Sequence, residues 1–248
     1  MDPLQTRDVQ PDASRVLAWD GLVNGRDLGG LPTVGGAATR ARAIVRSASP
    51  DHLTSEGWRS LADYGIRTVI DLRNDDEVEE PLAARPADLT VVRVPVDQFI
   101  APGWYNTVSH LDGTPRIFPA YLRDGTKAVA EFVSAVAGAE PGGVLVHCEV
   151  GRDRTGLATM VLLHLAGVEP EAIAADYEIS YAQSEPTGKS LDHQDDLPEI
   201  LASLAEAGIT AREAMLAALA DFDPDAYFAA AGVGADVLDA VRARLLQG

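Results

Sequence analysis

Residues 144–165, VLVHCEVGRDRTGLATMVLLHL, constrain the fold more than any other stretch of this chain. They open on a short β-branched apolar run of the kind that fills a strand buried on both faces. A polar loop containing Gly151 follows, and residues 155–165 are then apolar almost all round, so they form a helix that other elements must cover on several sides. A buried strand feeding a buried helix requires a layered α/β arrangement, with the strand inside a sheet and helices packed over it.

The remaining pattern fits that frame. Residues 43–45, 68–72 (TVIDL) and 89–96 (LTVVRVPV) read as strands, the last two as buried ones. Thr54 caps a helix that places Trp58, Leu61 and Tyr64 on one face and stops at Gly65. Residues 121–137 read as one further helix, and the glycine-rich segment 24–36 as tight turns between short strands. After Gly167 only helices are expected, over 170–181, 196–207, 211–220 and 235–246. The expectation is an α/β sandwich with a mostly parallel central sheet flanked by helices. It forms one domain over 16–248, with 168–248 as a helical cap, behind a loose polar arm at 1–15 that carries Pro3 and Pro11.

Composition removes several functions. Of the 248 residues, 20 are Lys or Arg and 38 are Asp or Glu, a net charge of -18 without a basic cluster, so neither nucleic acid nor an anionic membrane is an expected partner. The single cysteine, Cys148, can form neither an internal disulfide nor a Cys-rich zinc site. No apolar run is long enough to span a bilayer, and the first residues lack the basic-then-apolar pattern of a signal peptide. A soluble cytoplasmic protein is the expectation, although export without a cleaved signal leaves no trace in such a sequence.

The chemistry concentrates where the buried strand ends at His147. Cys148 and Arg154 enclose five residues, and such a loop can curl until the N–H groups of Glu149, Val150, Gly151, Arg152, Asp153 and Arg154 converge on one point. Gly151 permits the backbone angles of the curl, and the following helix directs its positive end at the same point. Arg154 adds a planar fork that matches two phosphate oxygens. This positive field favours Cys148 as a thiolate, a nucleophile aimed at a bound phosphorus. The Thr155 hydroxyl can donate to that thiolate, and His147 can hold the loop's shape. A cysteine that merely packs at a strand end does not require His before it, Gly three after, Arg six after and Thr-Gly beyond.

The sequence HCEVGRDRTG resembles the phosphate-binding signature of the cysteine-dependent protein tyrosine phosphatase superfamily, and the wider chain is similar to its atypical bacterial branch with an HCxxGKDRTG loop. Supporting matches are residues 24–30 (NGRDLGG), Arg46 and Ser47, 71–73 (DLR), 167–180 (GVEPEAIAADYEIS) and 225–247 (DAYFAAAGVGADVLDAVRARLLQ). The resemblance implies the phosphatase fold, a phosphocysteine intermediate, and neither metal nor cofactor. It implies phosphoprotein substrates, phosphotyrosine first, with phosphoserine, phosphothreonine or phosphoinositide allowed, and it makes Asp153 a donor of the proton to the leaving oxygen, with Asp97 on an upstream loop as the rival.

Two departures stand out. Arg152 replaces the usual Lys, and Glu149 places a carboxylate beside the nucleophile, which would repel highly phosphorylated ligands if it faced the pocket. A rhodanese-like sulfurtransferase and a non-catalytic phospho-ligand module are the alternatives. Among other residues, Arg26 and Asp27 are expected to stabilise the glycine-rich turn, Arg46 and Arg73 to line the pocket or pair with carboxylates, and Trp104 and Tyr105 to grip a phosphorylated side chain or anchor their loop. Residues 74–80 (NDDEVEE) read as a solvated helix start, and Met160 and His164 as core.

Overall fold

The computed structural model describes Asp12 and residues 14–192 and 195–246. Its sheet has five strands, β1 Arg26–Asp27, β2 Ile44–Ser47, β3 Ile66–Asp71, β4 Thr90–Arg93 and β5 Gly143–His147, in the order β1-β2-β5-β3-β4. β2, β5, β3 and β4 run parallel, and β1 pairs with β2 antiparallel. β5 is buried throughout, as its apolar run demands. Side chains alternate between two core clusters, with Val45, Val69 and Leu145 on one face of the sheet and Ile44, Ile70, Val144 and Val146 on the other.

The first face is covered by α1 Ser55–Tyr64, which begins where the Thr54 hydroxyl accepts from Gly57 N–H and ends at Gly65 with φ of 101°. It buries Trp58 and Leu61 against Val45, Val69 and Leu145. The second face carries α2 Trp104–Val108, α3 Phe118–Asp124, α4 Thr126–Ala137 and α5 Asp153–Leu165. α5 follows β5 and is buried on nearly every side. The described elements after α5 are all helices: α6 Pro170–Ala182, α7 Ser184–Leu191, α8 Leu197–Glu206, α9 Ala211–Ala220, α10 Pro224–Ala230 and α11 Ala235–Leu245. α6 packs on α5 and α9, and α11 packs on α4 and α5, so these helices extend the second layer.

One register decides where chemistry can occur. His147 pairs with Ser47 on one side and Asp71 on the other, so β2, β5 and β3 end level and their following loops meet at one edge. The carboxyl edge of parallel strands is where α/β folds open a crevice.

Several sequence expectations change. The helix expected over 121–137 is two, α3 and α4, because the chain turns at Gly125, where a Cβ would stand 2.8 Å from the Tyr121 carbonyl. The strand expected over 89–96 is only β4, at the sheet edge with Thr90, Val91 and Arg93 exposed. Val94 and Val96 are buried beyond its end. α7 was hidden by Pro186 and Gly188, and a proline in a first turn forfeits no intrahelical bond. Residues 75–77 form a single 3-10 turn rather than a helix start. The arm expected at 1–15 lies almost wholly outside the described residues; its last member, Arg15, pairs with buried Asp176. No described helix is long and apolar enough to cross a membrane.

Candidate active site

Cys148 leaves the end of β5 with only 2% of its surface exposed, and its Sγ accepts from the Thr155 hydroxyl at 3.1 Å. The loop that follows has every carbonyl from 148 to 152 tied down. The Cys148 carbonyl accepts from His147 Nδ1 at 2.9 Å, that of Glu149 from Ser49 N–H at 2.8 Å, and that of Val150 from Asn24 Nδ2 at 3.0 Å. The Gly151 carbonyl accepts from Asn24 Nδ2 at 3.2 Å and Arg46 Nη2 at 2.8 Å, and that of Arg152 from Gly156 N–H at 2.8 Å. Among the described residues, none accepts from the N–H groups of Val150 through Arg154. Unspent donors at a helix start, beside a thiol, are what an anion would satisfy.

Gly151 is indispensable to this shape. Its φ is 72°, and a Cβ there would lie 2.4 Å from the Ser47 carbonyl oxygen and 2.5 Å from Ala48 N. The loop therefore lies flat against the end of β2, and only glycine provides both the conformation and the clearance.

A buried ion cluster holds the loop from behind. Asp176 of α6 receives Arg26 Nε at 3.2 Å, Arg46 Nη1 at 3.0 Å and also Arg15. Burial acts to raise the Asp176 pKa, but the three guanidinium groups outweigh it and hold the carboxyl well below its ordinary range. Arg26 also donates to Asn24 Oδ1 at 2.6 Å, so Asn24, itself at φ 54°, is clamped while it binds the loop. Asp27 does brace the turn, accepting from Gly29 N–H, Arg42 N–H and the Tyr64 hydroxyl. Arg26 braces the same turn through Asn24 and also belongs to the Asp176 cluster, and Arg46 takes the pairing role rather than lining the pocket.

Beneath the neighbouring side, Arg73 donates to Asp71, Asp51, Ser49 and, at 3.2 Å, to Glu149. The Glu149 carboxylate is thus drawn towards a buried cation. Burial pushes the His147 pKa below its ordinary value, so the ring is neutral with Nδ1 donating to the Cys148 carbonyl.

Cys148 opens into a cavity of about 450 Å³ that also meets Arg154, Asp153, Val150, Glu77, Asp97, Trp104, Tyr105 and Tyr121. Arg154 donates through both Nη atoms to the two oxygens of Glu77, each at 2.5 Å, and stands 3.6 Å from Asp97. Burial acts against its charge, but the Glu77 bonds and the charges of Cys148 and Asp97 keep its pKa above the ordinary value.

The two acid candidates differ sharply. Asp153 Oδ1 is buried without a hydrogen-bond partner, and burial raises its carboxyl pKa; Asp112 and Asp196 add to the rise while Arg152, 3.3 Å away, opposes it. It does not cap α5. Asp97 has both oxygens engaged, by the Tyr121 hydroxyl at 2.8 Å and Asn74 Nδ2 at 3.1 Å.

Trp104 packs on Tyr121 and donates to Asp124 at 2.7 Å, so it both anchors its segment and walls the cavity. A second cavity of about 410 Å³ adjoins the first across Asp112, Val150, Asp153 and Arg154 and is lined by Arg152, Glu149 and residues of α6 and α7. Arg152 is engaged there by Asp196, at 2.8 and 2.6 Å.

A model of the tyrosine phosphatase family matches residues 17–247. This chain belongs to that family. Among relatives, a Cupriavidus necator protein bearing the name of a tyrosine-protein phosphatase is 31% identical over 65% of this chain and 61% of its own length. A tyrosine-protein phosphatase of Nostoc commune is 30% identical over 66% and 57%, and the triple specificity protein phosphatase PtpB of Mycobacterium tuberculosis is 24% identical over 75% and 72%. The matches thus span about three fifths of the first two relatives' lengths.

The structure brings Cys148, Arg154 and the intervening loop, which the sequence pattern had marked, to one cavity edge. Sequence reasoning missed Glu77, Asn24 and Asp176. Glu77 sat in an acidic run read as solvated, yet its carboxylate meets Arg154. Asp176 could have been suspected as an acidic residue on a helix otherwise buried at Ile173, Tyr177 and Tyr181, where a charge demands a buried partner. Asn24 opens the NGRDLGG match, but nothing in that segment signals its bonds to the loop, with partners 126 and 127 residues away.

Proposed function

We propose that this chain hydrolyses phosphotyrosine in proteins through a phosphocysteine at Cys148, without a metal or cofactor. The observation that carries the reading is the loop itself: five successive carbonyls each hydrogen-bonded and the N–H groups of 150–154 left unspent beside the Cys148 sulfur, which accepts from the Thr155 hydroxyl. In the first step Cys148 Sγ attacks phosphorus, the P–O bond to the tyrosine oxygen breaks, and Asp153 gives that oxygen its proton. In the second, Asp153 takes a proton from water as the water oxygen bonds to phosphorus; the S–P bond breaks and Thr155 donates to the departing thiolate. The loop amides and Arg154 hold the equatorial oxygens in both steps.

Asp153 is preferred to Asp97 because a raised pKa suits a group that must be protonated near neutrality, whereas Asp97 has both oxygens committed to other residues. Phosphotyrosine suits a thiol that is 2% exposed in a cavity walled by Trp104, Tyr105 and Tyr121. Shorter phosphoserine and phosphothreonine side chains reach such a thiol less well. The acidic residues around it, Asp76, Asp97 and Asp112, and the commitment of Arg152 to Asp196 disfavour phosphoinositides. A sulfurtransferase has no use for the Arg154 fork, and a binding module has no use for the Thr155 bond to sulfur.

Phosphate release from a phosphotyrosine peptide in the presence of EDTA tests the reading. Wild type should turn over, and Cys148→Ser should not. Asp153→Asn should slow the peptide by ~10² to 10⁴ and an acidic nitrophenyl phosphate much less, since the latter leaves without a proton. If Asp97→Asn shows that dependence on the leaving group and Asp153→Asn slows both substrates alike, the proton comes from Asp97.

A further inference from the structure

The second cavity, of about 410 Å³, has no part in the reaction proposed above, yet it shares Asp112, Val150, Asp153 and Arg154 with the cavity that holds Cys148. Residues of an extended peptide advance by ~3.3–3.6 Å each. A residue one or two places from a phosphotyrosine seated over Cys148 therefore arrives at this shared wall. Four carboxylates line the second cavity, those of Asp112, Glu149, Asp153 and Asp196. Three already have a guanidinium: Arg73 bonds Glu149 at 3.2 Å, and Arg152 bonds Asp153 at 3.3 Å and Asp196 at 2.8 and 2.6 Å. Asp112 has none. Among the described residues its carboxylate accepts only from the Tyr105 hydroxyl, a neutral donor.

The hydroxyl groups of the same cavity add a second, independent observation. Ser180 accepts from Arg26 at 3.0 Å and Arg46 at 3.3 Å, and Ser184 donates to Asp195 at 2.9 Å. Thr187 of α7 is only 3% exposed, and its Oγ1 has no hydrogen-bond partner among the described residues. A buried hydroxyl left without a bond costs stability, which an N–H group entering the cavity restores. An anion fits poorly here, because it has to draw Arg152 away from Asp196 while facing Asp112 unneutralised. A carboxylate without a cation and a hydroxyl with lone pairs unspent suit a cation rich in N–H donors.

We propose that the second cavity is a substrate subsite for a basic side chain, arginine or lysine, one or two residues from the phosphotyrosine, with its charge set against Asp112 and an N–H bonded to the Thr187 hydroxyl. This rests on the reading of Cys148 as the nucleophile towards phosphotyrosine. It makes Asp112 and Thr187 determinants of which phosphotyrosine is hydrolysed. The net charge of -18 also draws any cationic peptide from a distance, and that field is spread over the whole surface rather than fixed at one residue.

The test measures kcat/KM for phosphotyrosine peptides that carry Arg, Ala, Glu or phosphoserine in turn at each position within two residues of the phosphotyrosine. Wild type should favour Arg over Ala at one of these positions by about fivefold, the upper range for a half-exposed ion pair. Asp112→Asn should abolish that preference and Thr187→Val should reduce it. Asp112 shares a wall with Asp153, so Asp112→Asn alters the chemistry as well, but the ratio of two peptides on one enzyme cancels that change. Glu131→Gln, which removes an exposed carboxylate of α4, should leave the ratio as it is. An unchanged ratio in Asp112→Asn or in Thr187→Val overturns the proposal, and so does an equal fall in Glu131→Gln, which assigns the preference to the general field. A preference for phosphoserine over Ala makes the cavity an anion subsite and also overturns it. Should Asp112→Asn fail to fold, Thr187→Val carries the same comparison. Equal rates for Arg and Ala at every position, with the Ala peptide turned over, defeat the subsite alone; if no phosphotyrosine peptide is turned over, the phosphotyrosine reading fails and the subsite with it.

Discussion

Arg46 donates through Nη2 to the Gly151 carbonyl at 2.8 Å while its Nη1 pairs with Asp176 at 3.0 Å, so one buried guanidinium joins the phosphate loop to helix α6. Losing Arg46 leaves Asp176 short of a partner and frees the loop at its tightest point. Arg46→Met should therefore lower the melting temperature and weaken phosphate inhibition together. Replacing one member of a buried ion pair costs about 3–5 kcal/mol. Unchanged melting by differential scanning calorimetry would exclude the cluster as a support.

Asn24 allows the loop contact to be isolated from backbone effects. Its φ of 54° is one that glycine adopts freely, so Asn24→Gly removes the side-chain bonds to Val150 and Gly151 without straining the turn. The expected result is a fall in kcat/KM of about tenfold or more, since each lost bond to the loop is worth about 1 kcal/mol and the remaining shape depends on it. Asn24→Ala should be worse, because it adds strain; activity equal for both variants and wild type would show that the loop holds itself.

How far the sequence reveals these relationships depends on their range. β5, α5 and the loop between them are contiguous, and their apolar periodicity and the spacing from Cys148 to Thr155 place the thiol, the Arg154 guanidinium and the hydroxyl of the candidate site directly. The Thr54 cap and Gly65 stop likewise reproduce α1. Edge effects are less visible: residues 89–96 have the β-branched composition of a buried strand, but only tertiary position tells that β4 has one neighbour and that Thr90 and Val91 face solvent. Least legible are charges whose partners are distant in sequence. Glu77 lies among Asp75, Asp76, Glu79 and Glu80, and only the fold distinguishes the one that meets Arg154, 77 residues on.

A substitution at Thr155 would separate the two proposed chemical steps. Its hydroxyl lies 3.1 Å from Cys148 Sγ, where it can stabilise sulfur leaving phosphorus. Thr155→Val keeps the volume and removes the donor, so breakdown of the intermediate should slow more than its formation. Rapid-mixing experiments with a nitrophenyl phosphate should then show a burst of nitrophenol followed by a slow steady state. Loss of both phases in equal measure would argue that Thr155 supports the loop rather than the leaving thiolate.

Stability should fall on the acid side through Asp176. Its folded pKa is depressed by Arg26, Arg46 and Arg15, so its contribution is fully present above the unfolded carboxylate value of about 3.9 and is lost as pH falls through the lower folded value. Asp51, Asp71 and Glu77, also depressed, act in the same direction. Urea unfolding should show wild type more stable than Asp176→Asn at pH 7, with the gap closing below pH ~4. A gap that widens on acidification would contradict the sign of the shift.

The central claim is that phosphate passes through sulfur, and an acid quench reads it directly. Wild type and Asp153→Asn are mixed with a phosphotyrosine peptide carrying radiolabelled phosphate, stopped in acid within the first turnovers, digested and mapped. The account predicts label on the peptide containing Cys148 in wild type, label forming more slowly in Asp153→Asn because the leaving oxygen has lost its proton donor, and none in Cys148→Ser. Label on any other residue, or full turnover by Cys148→Ser, would contradict it.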